Sequence, residues 1–365
     1  MEALVVGAGI HGLTIACELA KSGIKVTIAD KQNEILMGTS NGTHNRVNMG
    51  YHYPRSKDTA RECYEGYLHL KRHLPQSLYY PQSSYYLIEK NSSKTSGAQY
   101  KDFLDDVGLE YKRIWPEQKL LIKENIESSF KVAEPCYDIQ ILRQYYNNEI
   151  STRDIFPLLG FKIESVSIDD NEVILKSKTG HILKNRFDII VNATYAATNN
   201  IQRLFGCTEK LTNYHFQKTE VVVVKSKRDL PALTVMDGPF ITILPYAYCG
   251  HKDTYLVYDV VNSINKKTRG EFIPEDFYER AGETNYDKML LSGSRYYAFM
   301  SELTPVASLW ATRPIPSDSG KDDYRITRTI KHNNHKCFYS VLEGKFVSAP
   351  LMAKKIVNQV LDEVE

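Results

Sequence analysis

The sequence of 365 residues has no run approaching the ~20 consecutive apolar residues that a membrane-spanning helix needs. It also has no excess of one charge, since 46 lysines and arginines stand against 44 aspartates and glutamates for a net charge of +2. A dedicated nucleic-acid binder carries a strongly basic surface, so this balance disfavours that class without excluding a local basic patch. Strand-like residues begin within three positions of Met1, which leaves no room for a signal or transit peptide. These absences predict a soluble, cytoplasmic protein without a membrane span.

Paired cysteines are missing as well. The cysteines are scattered singly, with no CxxC spacing, at Cys17, Cys63, Cys136, Cys207, Cys249 and Cys337. Neither a zinc site nor a disulfide framework is indicated, so we expect reduced thiols and no bound metal. At this length about two domains are expected, because single hydrophobic cores rarely grow beyond roughly 250–300 residues.

What the sequence does contain is a βαβ pattern in its first thirty residues, MEALVVGAGIHGLTIACELAKSGIKVTIAD. Gly7, Gly9 and Gly12 have the GxGxxG spacing of a dinucleotide-binding turn. In that turn the first glycine permits a tight bend, the second lets backbone approach the pyrophosphate, and the third lets the helix pack closely on the strand. The helix that begins at Ile10 and His11 directs its free N–H groups at the phosphates.

An acid ends the second strand of this unit. Asp30 lies where a carboxylate accepts the ribose hydroxyls, and Lys31 follows it in the same site. An acid at this position repels a 2′-phosphate, so NADP is disfavoured. The pattern by itself leaves NAD and FAD open.

Beyond this unit the patterns alternate between helices and antiparallel strands. Helical periodicity is present at 57–74, 98–106 and 139–150, and helical signals recur near 274–292 and from Pro350 onward. Strand patterns occur at SSYYLIEK, in a β-meander over 161–178, and in TEVVVVKS, PFITILPY and DTYLVYDVV. The last three predict an antiparallel sheet that differs in character from the nucleotide-binding unit.

Four segments in this order resemble the D-amino-acid oxidase superfamily of FAD-dependent oxidoreductases, which includes glycine and sarcosine oxidases and L-2-hydroxyglutarate dehydrogenase. They are the N-terminal unit, GTSNGTHNRVNMGYHYPRS (38–56), FDIIVNATYAATNNIQRLFG (187–206) and EGKFVSAPLMAKKI (343–356). The third is similar to the family's "IVNATG" strand and the fourth to its "GGKxTxxP" segment. A simple NAD-binding domain has no use for the last three, so the resemblance implies FAD. No Cys or His matches a family attachment position, so noncovalent flavin is expected.

The resemblance implies an α/β fold in which a Rossmann-like, GR2-type FAD-binding domain is interleaved with an antiparallel-sheet substrate domain. The expected FAD-binding pieces are 1–75, 138–210 and 305–365. The expected substrate-binding pieces are 76–137 and 211–304.

The family pattern also assigns cofactor contacts outside the N-terminal unit. They are expected from Thr39, Ser40, Asn45 and Arg46 of the second segment, Ile163 beside the adenine, Ala193 and Thr194 of the third segment, and Gly344, Lys345 and Phe346 of the fourth. Gly344 permits close approach, and the helix after it aims its N-terminus at the flavin C2 carbonyl, where negative charge collects on reduction. The family's usual glycine after Thr194 is Tyr195 here, a departure that leaves the shape of this turn open.

Substrate contacts are implied at two places. Arg313, in LWATRPIPSD, matches the family's "GxRP" arginine, which forks onto a substrate carboxylate; a structural ion pair is the alternative. Tyr51, His52 and Tyr53 follow Gly50 and are expected near the flavin, with His52 a candidate base. Further pocket candidates are Arg55 and Tyr246.

The predicted function is oxidation of a C–N bond in an amino acid or N-substituted glycine, with hydride transfer to flavin N5. Three alternatives stay open: a 2-hydroxy-acid or polyol-phosphate dehydrogenase, oxidative removal of a carboxymethyl-type group from a modified base or sugar, and a non-catalytic flavin-containing scaffold. GYHYPRS loosely resembles the "HAGIYY" stretch of hydroxyglutarate enzymes, which keeps the first alternative in play. The expected partners are a carboxylate-bearing amine or hydroxy acid and an electron acceptor, either dioxygen or a carrier.

Overall fold

The computed structural model describes residues 1–169, 172–209, 211–246, 253–317, 327–333, 337–342 and 344–363. The α-helices within these ranges are α1 (Ile10–Lys21), α2 (Lys57–His73), α3 (Gly97–Val107), α4 (Ile139–Thr152), α5 (Thr198–Leu204), α6 (Tyr286–Gly293) and α7 (Ala349–Asp362). The strands are β1 (Glu2–Val6), β2 (Lys25–Ala29), β3 (Leu78–Tyr79), β4 (Ser84–Glu89), β5 (Ile126–Val132), β6 (Cys136–Tyr137), β7 (Ile155–Leu158), β8 (Ile163–Asp169), β9 (Glu172–Ser177), β10 (Ile182–Arg186), β11 (Ile189–Asn192), β12 (Tyr214–Lys225), β13 (Ala232–Met236), β14 (Ile241–Pro245), β15 (Thr254–Asp259), β16 (Ile264–Gly270), β17 (Thr304–Pro316), β18 (Arg328–His332) and β19 (Phe338–Leu342).

A six-stranded sheet in the order β18-β19-β11-β1-β2-β7 forms the first layer system. Its strands are parallel except β18, which pairs antiparallel with β19. Side chains of β1 alternate between the faces: Ala3 and Val5 pack in the core with α1, α4 and α7, and Leu4 and Val6 pack in the core with β8, β9 and α5. Both faces are therefore covered, as a parallel sheet requires.

An eight-stranded sheet forms the second layer system, in the order β16-β12-β15-β14-β13-β4-β5 with β17 paired to β12. Its pairs are antiparallel apart from β13 with β4. The predicted strands at 84–89 and between 217 and 261 all belong to this sheet, and the predicted β-meander is the three-stranded sheet β8–β10. The expected fold class, α/β with an added antiparallel sheet, is confirmed.

The two sheets draw on alternating stretches of the chain. The six-stranded sheet takes strands from 2–29, 155–192 and 328–342, and the eight-stranded sheet takes strands from 84–132 and 214–316. Strand β17 pairs along β12, although the expected limit at 305 would group it with the FAD-binding pieces. The residue limits of the two domains stay a proposal.

Several smaller features complete the description. The helical signal near 274–292 is a short 3₁₀ turn, Glu275–Tyr278, followed by α6. Cys17, Cys63, Cys136, Cys207 and Cys337 are buried and form no disulfide among the described residues, and Cys249 lies outside the described residues. Within the described ranges, no helix is long and apolar enough to cross a bilayer, and no group of three or more His, Cys, Asp or Glu side chains is arranged to hold a metal ion.

The contact between α2 and the turn before α7 generates a stability prediction. A Cβ added at Gly66 would lie 2.1 Å from the carbonyl oxygen of Val347. Gly66→Ala should therefore lower the free energy of unfolding by about 2 kcal/mol through overpacking, against the ~1 kcal/mol that alanine normally gains over glycine in a helix. Equilibrium urea unfolding followed by circular dichroism measures the change.

Gly270→Ala is the matched control, because a Cβ there has only the carbonyl oxygen of Phe272 nearby, at 4.0 Å. Equal stability of the two variants would contradict the packing argument.

Candidate functional site

A cavity of about 670 Å³ lies at the carboxyl ends of β1 and β11 and is lined by residues of both sheets. Its wall contains most of the residues that the sequence assigned to a site, namely Gly7, Gly9, Ile10, His11, Asp30, Lys31, Thr39, Ser40, Arg46, Tyr53, Ile163, Ala193, Thr194, Arg313, Gly344, Lys345 and Phe346. The carboxyl edge of a parallel sheet is where doubly wound folds bind their ligands.

The three glycines of the N-terminal turn have separate roles. Gly7 has a φ of 109°, and a Cβ there would lie 2.7 Å from the carbonyl oxygen of Ala193. A Cβ at Gly12 would lie 1.8 Å from the carbonyl oxygen of Gly7, so this glycine lets α1 pack on β1 and does not line the cavity. At Gly9 the nearest such atom is Ser40 Oγ, 3.6 Å away, so a side chain there would extend into the cavity. The space beside Gly9 therefore fits a ligand rather than protein.

Polar groups at the N-terminus of α1 suit a pyrophosphate and a ribose. The Ile10 N–H donates to Ser40 Oγ at 3.2 Å. The Asp30 carboxylate accepts the N–H of Ala8 at 2.6 Å and that of Gln32 at 2.8 Å. Burial raises the pKa of the Asp30 carboxyl, and the two N–H donors oppose that rise. Each carboxylate oxygen has two acceptor sites, so Asp30 keeps capacity for ribose hydroxyls.

Beyond Asp30 the cavity is closed by residues from both layer systems. The Lys31 Nζ lies 2.9 Å from the centroid of the Tyr278 ring, and burial lowers the pKa of Lys31 to about 8. Lys162 pairs with Glu275 at 2.9 Å, and Ile163 lines the wall beside them. Tyr278 and Glu275 follow β16 of the eight-stranded sheet, and no sequence motif identified them as site residues.

The C-terminal segment closes on the first turn of α1. His11 Nε2 donates to the carbonyl oxygen of Lys345 at 3.0 Å, and a Cβ at Gly344 would lie 2.2 Å from the same nitrogen. Burial lowers the pKa of His11 to about 4, so this imidazole is neutral near pH 7. The Phe346 ring stacks on Tyr137 with centroids 3.9 Å apart and planes 10° apart. Both rings line the cavity and give it a flat apolar wall.

Two arginines stand at the end of the cavity away from Asp30. Arg46 Nη1 pairs with Glu134 at 2.9 Å, and both side chains are almost fully buried. Arg313 donates from Nη2 to Gln217 Oε1 at 3.1 Å and from Nη1 to the Tyr258 hydroxyl. The pairing of β12 with β17 places Gln217 opposite Arg313 and so sets this contact. Within the described residues Arg313 has no carboxylate partner, and its buried Nε has no acceptor.

His44 lies between these arginines and was not assigned a role from the sequence. Its ring meets Tyr258 edge-on with centroids 5.3 Å apart, and it lines the cavity. Burial, with the charges of Arg46 and Arg313 nearby, lowers the pKa of His44 well below its usual value. Its position in the 38–56 segment could have indicated a place in the site, but His52 of the same segment was chosen as the candidate base.

Four of the expected site residues are not part of the cavity lining. They are Gly12, Asn45, Tyr51 and His52. Asn45 is buried and has a φ of 56°, and the Tyr51 hydroxyl donates to the carbonyl oxygen of Glu110 at 2.7 Å. The His52 ring packs 5.9 Å from that of Tyr53, which does line the wall.

The two further pocket candidates also lie outside the lining. Arg55 pairs with Asp237 at 2.8 Å, and Tyr246 packs against the apolar cluster around β12 and β15.

Comparison with known proteins gives a consistent assignment. The family model for FAD-dependent oxidoreductases of the DAO type matches residues 2–359. The chain is 22% identical over 241 residues to an FAD-dependent monooxygenase of Fusarium mangiferae, covering 66% of this chain and 60% of the relative. It is 22% identical to the anaerobic glycerol-3-phosphate dehydrogenase subunit A1 of Haloferax volcanii, covering 99% of this chain and 63% of that subunit. The chain thus spans about 60% of the length of these relatives.

Solved structures show the same fold. Glycine oxidase from Geobacillus kaustophilus superimposes with a TM-score of 0.75 at 15% identity, covering 99% of this chain and 94% of the oxidase. L-Proline dehydrogenase from P. horikoshii gives a TM-score of 0.75 at 17% identity, covering 99% and 93%. L-α-Glycerophosphate oxidase from Mycoplasma pneumoniae, solved with FAD bound, gives a TM-score of 0.74 at 15% identity, covering 99% and 94%.

The fit of the cavity to a dinucleotide agrees with the family match over nearly the whole chain. The open space beside Gly9 and the helix N-terminus at Ile10 suit a pyrophosphate. The acceptor Asp30 suits a ribose, and the flat wall at Phe346 suits a flavin. The chain belongs to the DAO family of FAD-dependent oxidoreductases, an enzyme family whose cofactor is FAD.

Proposed function

We propose that the protein oxidises the C–N bond of a small amino acid or N-substituted glycine that carries one carboxylate. The observation that carries this proposal is Arg313, a cation on the wall of the cavity with no carboxylate partner in the described part of the chain. When bound, FAD supplies the hydride acceptor, and the substrate carbon that loses hydride becomes an imine carbon that water hydrolyses. The chain's own residues bind the substrate, orient it and set its protonation state.

The charges at this end of the cavity support a monoanionic substrate group. Glu134 neutralises Arg46, and Glu62 neutralises Lys345 across 3.0 Å. His44 is uncharged near neutral pH because its pKa is lowered. Arg313 is then the one uncompensated cation among these four groups. A single carboxylate balances that charge, whereas a phosphate dianion or a dicarboxylate would bring excess negative charge into a partly desolvated site.

The guanidinium of Arg313 has the geometry for this task. Two of its N–H groups bind Gln217 and Tyr258, and these two contacts hold its plane in place. Three N–H groups remain, including the Nε–H that has no acceptor among the described residues. Two parallel N–H groups of a guanidinium match the two oxygens of a carboxylate.

Arg313 also favours the reactive form of an amine substrate. A positive charge nearby disfavours an ammonium group, so an amine held beside Arg313 has a lowered pKa. The neutral amine has the lone pair needed to form the C=N bond as hydride leaves carbon. This electrostatic effect supports amine oxidation without requiring a charged base in the pocket.

An anaerobic substrate panel tests the proposal by following the loss of the oxidised-flavin absorbance band. Glycine, N-methylglycine and proline represent monocarboxylate amines, lactate a hydroxy acid, iminodiacetate a dicarboxylate, and glycerol 3-phosphate a dianion. We expect the fastest flavin reduction with one of the monocarboxylate amines. Faster reduction by lactate, iminodiacetate or glycerol 3-phosphate, or no reduction by any amine, would refute the proposal.

Replacement of Arg313 tests its anchoring role. Arg313→Lys keeps the charge but removes the planar fork, so kcat/KM for the best carboxylate substrate should fall by about a hundredfold, roughly 3 kcal/mol. Flavin content should not change. Arg295→Lys, at an exposed arginine outside the cavity lining, is the control and should match the wild type. A wild-type rate of flavin reduction in Arg313→Lys would make the arginine structural.

A substitution at Gly9 tests whether the cavity is the flavin site. The Gly9→Leu side chain would occupy the space expected for the pyrophosphate, so the protein should lose most of its flavin. The fold should persist, because Ser40 Oγ at 3.6 Å is the nearest atom a Cβ would meet. The ratio of flavin to protein absorbance and the far-ultraviolet circular dichroism measure both effects, with Gly9→Ala as the milder comparison. A folded Gly9→Leu protein with full flavin content would place the cofactor elsewhere.

A further inference from the structure

We propose that residues 271–280, here called the strap, hold the nucleotide half of FAD against the six-stranded sheet, with Arg280 binding the pyrophosphate. The strap leaves β16 of the eight-stranded sheet, and its lining residues are Ile273, Glu275, Phe277, Tyr278, Glu279 and Arg280. The nucleotide would thus be bound from two sides by different layer systems. This proposal depends on the cofactor and not on the choice of substrate.

The strap is held in place across the cavity by contacts along its length. At its start, the Asn199 side-chain amide donates to the carbonyl oxygen of Glu271 at 2.7 Å. In its middle, Thr312 Oγ1 donates to the carbonyl oxygen of Phe277 at 2.7 Å, and Ile273 and Phe277 are buried in one apolar cluster with Tyr214 and Phe216.

The side chains on either side of Phe277 contact the nucleotide-binding unit. Glu275 pairs with Lys162, and the Tyr278 ring lies under Lys31, the residue directly after Asp30. Lys31 follows β2 of the six-stranded sheet, and Lys162 precedes β8 of the three-stranded sheet, which packs on the same core as β1. The strap therefore joins the eight-stranded sheet to the nucleotide-binding unit at the cavity.

Arg280 ends the strap beside the N-terminus of α1. Its Nη2 donates to the carbonyl oxygen of Gly38 at 3.2 Å. Two residues later, Ser40 Oγ accepts the N–H of Ile10, the first residue of α1. A guanidinium on Gly38 therefore lies next to the point where the N–H groups of α1 and the open space beside Gly9 receive a phosphate.

The charge around Arg280 lacks a counterion. Within the described residues no carboxylate lies within 4.0 Å of Arg280, and the neighbouring cation is Arg143, whose guanidinium contacts Ile35 and Met37. Arg280 is an exposed residue, and partial burial of its guanidinium together with the proximity of Arg143 lowers the pKa of Arg280 from its usual value. The nearest acid to Arg143 is the exposed Glu34, at 4.0 Å. The pyrophosphate of FAD, with its two negative charges, would give Arg280, which lines the cavity, an anionic partner.

FAD release from the full-chain holoprotein tests this role directly. Fluorescence of the released flavin on dilution gives the dissociation rate and Kd, and no substrate turnover is needed. Arg280→Gln should raise the Kd for FAD by about tenfold or more and weaken its dependence on salt, because one charge-assisted contact is lost. Arg61→Gln, at an exposed arginine on α2 outside the cavity lining, is the matched control and should leave both unchanged.

A Kd for Arg280→Gln within twofold of the Arg61→Gln value would overturn the pyrophosphate contact. Competition with nucleotides separates that contact from displacement of the strap. The dissociation constant of ADP should rise in Arg280→Gln, and that of adenosine, which lacks phosphate, should stay at the wild-type value. An equal loss of affinity for ADP and for adenosine in Arg280→Gln would refute the contact.

Tyr278→Ala tests the strap itself. It should speed FAD release without changing the salt dependence, because it removes contact area and no charge. An unchanged release rate in this variant would refute the strap.

Discussion

Close backbone packing at the end of β1 is the constraint on which the rest of the site depends. A Cβ at Gly7 would meet the Ala193 carbonyl oxygen at 2.7 Å, and one at Gly12 would meet the Gly7 carbonyl oxygen at 1.8 Å. Since no side chain fits at this junction, β1, α1 and the turn after β11 lie in direct backbone contact. The N-terminus of α1 is thereby held open toward the cavity, where its dipole and free N–H groups favour a phosphate.

Other parts of the chain build on this junction. Neutral His11 donates to the Lys345 carbonyl oxygen and packs on Gly344, which brings the C-terminal segment against the first turn of α1. Phe346 then stacks on Tyr137 and completes a flat wall. The eight-stranded sheet contributes two cations of the lining: Arg313 lies on β17, and Arg280 follows β16. The six-stranded sheet thus places the glycine turn and the N-terminus of α1 at the cavity, and the eight-stranded sheet and the strap after β16 add Arg313 and Arg280 to its wall.

Sequence patterns predicted those parts of the site that depend on local geometry. The GxGxxG turn and Asp30 interact within one βαβ unit, so their spacing alone indicated their arrangement. The fold class followed from the resemblance to the family, and the alternating strand patterns after residue 217 predicted the separate antiparallel sheet. Within the 38–56 segment the prediction was less accurate. Asn45 and Gly50 have positive φ values of 56° and 109°, and in this loop His44 lines the cavity whereas His52 does not. No periodicity rule follows a loop through such bends.

The sequence by itself therefore determined the nucleotide-binding unit, the family resemblance and the identity of the cofactor, because these rest on residues close together in the chain or on whole motifs. Only the tertiary structure decided which charges are compensated. Glu134 neutralises Arg46 from 88 positions away, whereas Gln217, opposite Arg313 across a strand pair, adds no charge. Tyr278 reaches Lys31 and Arg280 reaches Gly38 across the cavity in the same way. Such contacts depend on strand register and on how two sheets pack, and neither leaves a short-range pattern in the sequence.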